Sequence, residues 1–185
     1  MTETIKTEHM KKMRLLLFVF VLSFCSASAQ NMQTVIKTEA LNMAKALAAL
    51  DLEGYASYSW PALANDPNSK QLIKQGVDSA EKYRKQFGFK VKSIIIGNPS
   101  IVITYKEVMQ CTIPQNITVE AFAGSIATES TLIGLSTDGV KWYFVDALLF
   151  ESNSKAKLPE LSPKLFIPPT KPPVILGADG KEIKL

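Results

Sequence analysis

Phe87-Gly88-Phe89-Lys90-Val91-Lys92-Ser93-Ile94-Ile95-Ile96-Gly97-Asn98-Pro99 is where the chain changes period. Before it, apolar residues return every three or four positions, the spacing of one face of a helix. After it they alternate, or run in β-branched blocks closed by turn residues, as strands do. Helices followed by a run of hairpin-connected strands specify an α+β arrangement, with N-terminal helices packed on an antiparallel sheet.

Upstream of the change, Asn31–Leu50 reads as a helix through Met32, Ile36, Ala40, Met43, Leu47 and Leu50, with Ala and Lys between them. Asp51 and Gly54 punctuate it, and a short helix, Glu53–Ser59, carries Tyr55, Tyr58 and Trp60 up to Pro61. Asp66-Pro67 in the polar gap Asn65–Ser69 is a helix-start signal. The third helix, Ser69–Phe87, places Leu72, Ile73, Val77, Ala80, Tyr83 and Phe87 on one side and ends at Gly88.

Downstream, Phe89–Ile96 stops at Gly97-Asn98-Pro99. Ile101–Tyr105 and Val108–Ile113 read as one interrupted strand or two short ones ending at Pro114. Ile117–Phe122 alternates, Ala123-Gly124-Ser125 is a tight connection, and Ala127–Leu135 leads to the turn Ser136–Gly139, whose Asp-Gly suits positive φ. Trp142–Leu149 is the last strand, and both its alternating sets are apolar: Trp142, Phe144 and Leu148 on one side, Tyr143, Val145, Ala147 and Leu149 on the other. A sheet with helices on one face needs only one such set, so the second requires a cover. A partner subunit in a homodimer is one candidate; the chain's own tail is the other. That tail, Pro159–Leu185, holds six of the ten prolines. Its first half, Leu161–Pro169, has the apolar residues to dock in extended form. Lys171-Pro172-Pro173 and Gly177–Leu185 read as a polyproline-biased, mobile end, and a partner-binding arm is the alternative role for the tail.

The other end of the chain carries an address. Lys11, Lys12 and Arg14 precede the apolar run Leu15–Phe24, and Ser26-Ala27-Ser28-Ala29 follows, the three parts of a secretory signal peptide. The run is short of the roughly 20 residues a membrane span takes, so no stable span is expected. Cleavage after Ala29 leaves residues 30–158 as the folded domain and 159–185 as its Pro-rich extension, in the periplasm or secreted. A lipoprotein anchored through Cys25 is disfavoured because Phe24, not a small residue, precedes it.

Four of the 21 basic residues and two of the 17 acidic ones lie before Gln30, leaving 17 against 15, a net charge of +2. The apparent basicity belongs largely to the signal, and no nucleic-acid partner is indicated. The basic region Lys70–Lys92 reads as a solvated helix face. His9, the only histidine, also precedes the cleavage site, and Cys111 is the one cysteine beyond it. The mature chain therefore cannot form an internal disulfide, a Ser-His-Asp or Cys-His arrangement, or a conventional zinc site. Neither a phosphate-cradling glycine loop nor calcium-loop spacing is present, so no metal or cofactor is expected.

The order helix–helix–helix–sheet resembles the nuclear-transport-factor-two-like superfamily, the cone-shaped α+β fold also used by polyketide cyclases and ketosteroid isomerases. The resemblance is carried by the Ala-rich helix into Asp51-Leu52-Glu53-Gly54-Tyr55, by Gln110-Cys111-Thr112-Ile113-Pro114-Gln115, and by Asp138-Gly139-Val140-Lys141-Trp142-Tyr143-Phe144-Val145-Asp146. It covers Gln30 to Leu149, extends to small exported bacterial proteins of unassigned role, and implies a curved sheet around a pocket. It also implies that sheet-face dimers are available, and that an acid inside the cone could move protons.

Five residues stand out as site candidates. Tyr58 and Trp60 stand at a helix–loop junction where a pocket rim would lie. Gln110 and Trp142 belong to the strands of the resemblance, and Asp146 is an acid on an apolar strand, where desolvation would make it a possible general base. For each aromatic, packing is the competing role, and for Asp146 a hydrogen bond to a backbone or hydroxyl group. The functional expectation is an exported, non-catalytic binding or accessory module for a small ligand or an exported protein partner. An isomerase- or cyclase-like enzyme using Asp146, and a structural homodimer without a pocket, are the alternatives.

Overall fold

The computed structural model describes residues 31–122, 124–147, 157–177, 179 and 181–183. The segment read as a signal peptide, the cleavage expected after Ala29 and the lipoprotein alternative at Cys25 lie outside these residues, as do Leu148 and Leu149. The chain divides at Val35 into an N-terminal unit and a larger body from Ile36 onward, which contains the whole sheet and the layers packed on it.

Residues 31–48 are helical (α1), and from Ile36 on the helix buries Ile36, Ala40, Met43 and Ala44, the three- and four-residue stripe expected of it. Helix α2, Leu52–Ser57, starts where the Asp51 carboxylate accepts from the Gly54 N–H at 2.9 Å. Pro61–Ala64 is a separate single turn, α3, with its proline at the first position. Helix α4, Pro67–Phe87, begins two residues earlier than its apolar pattern suggested, because Asp66 caps it through the Ser69 N–H and hydroxyl, both at 2.8 Å. Gly88 ends it at φ +67°, a conformation glycine adopts without strain.

The strands are β1 (Lys90–Ile96), β2 (Ile103–Tyr105), β3 (Val108–Ala121), β4 (Gly124–Ser136), β5 (Tyr143–Asp146) and β6 (Val174–Leu176). They form one open, curved, wholly antiparallel sheet in the order β1-β3-β4-β5, with β2 continuing the outer edge of β3 and β6 that of β4. The spine is the β3–β4 hairpin, in continuous register from Met109 opposite Ser136 to Ala121 opposite Gly124.

Three expectations need correction. Strand β3 does not end at Pro114 but passes straight through it. The Pro114 carbonyl accepts from the Gly97 N–H at 2.8 Å, so its backbone polar groups face the edge where β1 has just stopped, and the missing donor falls on no ladder bond. Strand β5 stops at Asp146, shorter than the predicted Trp142–Leu149. Among the described residues the last strand is instead β6, in the tail between the two stretches read as polyproline-biased. Val174-Ile175-Leu176 pairs with Ser125–Ala127 of β4, and Gly177 and Ile183 add further backbone bonds to Lys181 and Ile175. That pairing needs Gly124: a Cβ there would stand 2.2 Å from the Leu176 carbonyl oxygen.

Directly opposed residues share a face of the sheet, which sorts the core into two layers. One face carries Cys111, Ile113, Leu132, Gly134 and Phe144. On the other face Val108, Ile133, Leu135 and Val145 are covered by Leu165 of the C-terminal extension. Leu158, Leu161, Ile167, Trp60 and Leu63 complete that layer. The second apolar set of β5 is thus buried by the chain's own tail and by α3. Among the described residues no helix is long and apolar enough to cross a membrane.

Candidate functional site

The five predicted site residues do not converge; the sheet separates them. Gln110 lies on the tail face, wholly buried, opposite Leu135. Its amide is committed at both ends: Nε2 donates to the Glu160 carbonyl at 2.9 Å, and Oε1 accepts from the Ser162 N–H at 2.8 Å. It therefore fastens the extension to β3. Trp60 is on the same face, edge-on to Tyr143 with centroids 5.6 Å apart.

Trp142 alternates onto the helix-facing side with Phe144 and is fully buried, its Nε1–H donating to the Gly139 carbonyl at 3.3 Å. Asp146, half-buried, ends β5 opposite Leu132. Its charge acts on Tyr55, whose hydroxyl is pushed above its ordinary range by burial and then by the Asp146 carboxylate. Tyr58 stands at the free edge of β5: its carbonyl accepts from the Phe144 N–H at 2.8 Å, and Lys141 Nζ lies 4.8 Å from its ring centroid. Tyr58 and Trp60 thus clip the α2–α3 junction over that edge, one at the rim and one on the tail face.

The turn before β5 is held by its own acid. Asp138 Oδ1 accepts from the N–H groups of Val140 and Lys141 at 2.8 and 2.9 Å and from the Ser136 hydroxyl, which together lower its carboxyl below the usual range. Cys111 is buried against Gly134, and desolvation pushes its thiol up to about 12, so the thiolate that nucleophilic chemistry requires does not form near neutrality. Among the described residues no three His, Cys, Asp or Glu side chains gather where they could hold a metal ion.

An apolar hollow lies elsewhere, between α1, α4 and the outer half of the sheet. It is an open groove of about 710 Å³, within the size range of small-molecule sites. Ala44, Leu47 and Ala48 of α1 form one wall and Ala80 and Tyr83 of α4 the other. Ile94, Ile117 and Val119 make the floor, which follows from their register: Ile94 faces Ile117 across β1 and β3, and Val119 lies two residues on.

The groove is open because of how α4 is held. Its first residue follows the Asp66 cap, which is ion-paired to Lys157 at 2.5 Å and whose carboxyl is drawn down to about 2 by that lysine and by Ser69. Its last turn is met by the β3–β4 turn: Phe122 N–H donates to the Phe87 carbonyl at 3.3 Å, and the Phe122 ring covers Gly88 so closely that a Cβ there would stand 2.4 Å from it. Between these two attachments none of its 21 residues is buried, and Leu72 is 65% exposed. Of the apolar stripe predicted for this helix, Ala80 and Tyr83 border a gap instead of closing on the sheet.

None of the five sequence-derived candidates lines this groove. A smaller hollow of about 340 Å³ lies on the tail face, between Ile95, Asn116 and Glu129 and the Pro168–Lys171 segment, and is closed at one side by the Lys171–Glu129 pair at 2.7 Å. Comparison with family models, with curated proteins and with solved structures finds no match for this chain.

Proposed function

We propose that the chain, after export and removal of Met1–Ala29, is a non-catalytic binding module that holds a small apolar ligand between α1, α4 and the sheet. The observation that carries this reading is the groove. An apolar hollow of about 710 Å³ stands open beside a helix that buries none of its residues. Exposed apolar surface of this kind is unfavourable in water unless something occupies it, and pre-formed apolar concavities are where small ligands bind. The mature chain's lack of histidine and the desolvated thiol of Cys111 support holding over transforming. The superfamily resemblance belongs to the same proposal, and helical segments leading into a curved antiparallel sheet support it.

The test is a titration of the mature chain with the uncharged dye N-phenyl-1-naphthylamine, read by its fluorescence. Saturable binding to the wild type is expected, with at least a tenfold loss in Ala48→Trp, which fills the groove from the α1 wall. Unchanged binding in that variant, with native circular dichroism, would overturn the reading.

A further inference from the structure

The charges around the groove say more about its occupant than the apolar walls do. Two charged side chains stand on its walls, and both are cations: Lys45 on α1 and Arg84 on α4. Lys90 also borders the hollow, but it is directly opposed to Glu120 and ion-paired with it at 3.1 Å, on the sheet face opposite Val91 and Val119, so its side chain points away from the groove. Lys45 and Arg84 are exposed, and no acidic residue lines the groove. Arg84 has a local partner in Glu81 at 3.4 Å, a solvated pair of small net value. Lys45 has no ion-pair partner among the described residues. The two positions come from the two helices that wall the hollow, so the cations flank it instead of following one helix face.

We infer that the groove takes a single-chain amphiphile with an anionic head group, an acyl carboxylate of the fatty-acid kind. The chain lies on Leu47, Ala48, Ile94, Ile117 and Val119, and the carboxylate is held at the mouth by Lys45, with Arg84 adding to the positive field. This deepens the binding-module reading and rests on it. The physical division is the ordinary one for such ligands. Burial of methylene groups drives binding, while the charged end stays in water beside flexible cationic side chains that reach it without being buried. A neutral ligand would leave the cations without a role, and a cationic one would be repelled by both.

The inference is tested by calorimetric titration of the mature chain, below micelle concentrations, with dodecanoate, methyl dodecanoate and dodecyltrimethylammonium. Dodecanoate is expected to bind at least tenfold more tightly than either analogue. Lys45→Gln combined with Arg84→Gln, both at exposed positions, is expected to shrink that preference to under threefold without weakening methyl dodecanoate. Ala48→Trp is expected to abolish binding of all three. Equal affinity for the three probes would overturn the head-group inference and leave the apolar binding module standing. Failure of all three to bind, with N-phenyl-1-naphthylamine also excluded, would remove both. Dodecanoate binding that survives Ala48→Trp, or binding only to anionic phosphatidylglycerol vesicles, would place the interaction on surface lysines and overturn the inference.

Discussion

Gln110 shows how one polar side chain inside a strand decides what covers a sheet face. An amide buried without partners would be costly; here both ends are satisfied by backbone groups of the extension, 50 and 52 residues away. Gln110→Ala leaves the Ser162 N–H and the Glu160 carbonyl without that partner, and a loss of about 2–4 kcal/mol is expected. Because Leu165 is held by the same docking, Leu165→Ala combined with Gln110→Ala should cost clearly less than the two single changes together. Urea melts of the four proteins measure this, and strict additivity would show that the two residues do not anchor one segment. Asp66 works at the same scale through charge. Its carboxyl is held at about 2 against an ordinary 3.8, so the stabilisation it gives is complete above about pH 4 and is lost as pH falls toward 2. Asp66→Asn should flatten the fall of the thermal midpoint across that window. An unchanged acid slope would mean that the contacts with Ser69 and Lys157 contribute nothing to stability.

At the scale of elements, the two halves of the molecule are stabilised differently. The β3–β4 hairpin is paired along its whole length and supplies Ile113, Leu132, Ile133 and Leu135 to the core. Helix α4, by contrast, spans about 31 Å with caps at both ends and local pairs such as Lys74–Asp78 at 2.7 Å, but without a buried residue. Such a helix opens at lower free energy than the sheet it borders. Amide exchange should therefore be faster over Leu72–Tyr83 than over Gln110–Ile113 by at least a hundredfold, and dodecanoate should slow the helix selectively. Equal protection of the two segments in the unliganded chain would contradict the description of α4 as a helix held at its ends.

For the whole molecule, periodicity located most of what the structure contains. The change of period at Gly88–Phe89 separated helices from sheet, and the doubly apolar β5 required a second covering layer, which residues 158–167 supply with α3. What periodicity could not convey was register and space. Pro114 looked like a strand end because its compatibility depends on where β1 stops, a long-range fact. Val174–Leu176 looked like part of a loose tail because its partner is the exposed edge of β4. The five site candidates fared as aromatic and polar residues on strands often do: Trp142 and Trp60 pack, Gln110 anchors, Tyr58 guards an edge, and Asp146 sits on the opposite face from Gln110. The groove left only a faint trace, namely alanines at 44, 48 and 80 where larger side chains would have filled the interval between helix and sheet. A lysine and an arginine beside those alanines were readable one by one, but their meeting across one hollow is a property of the fold.

A ligand held between α1, α4 and the sheet must perturb the residues that wall that space and spare those on the tail face. Nitrogen–proton correlation spectra of the mature chain, titrated with dodecanoate, distinguish the two residue by residue. Saturable shifts gathered at Ala44, Ala48, Ala80, Ile94, Ile117 and Val119 are predicted. Shifts gathered instead at Trp60, Gln110, Tyr143 and Leu165, or spectra that do not change, would contradict occupancy of the groove.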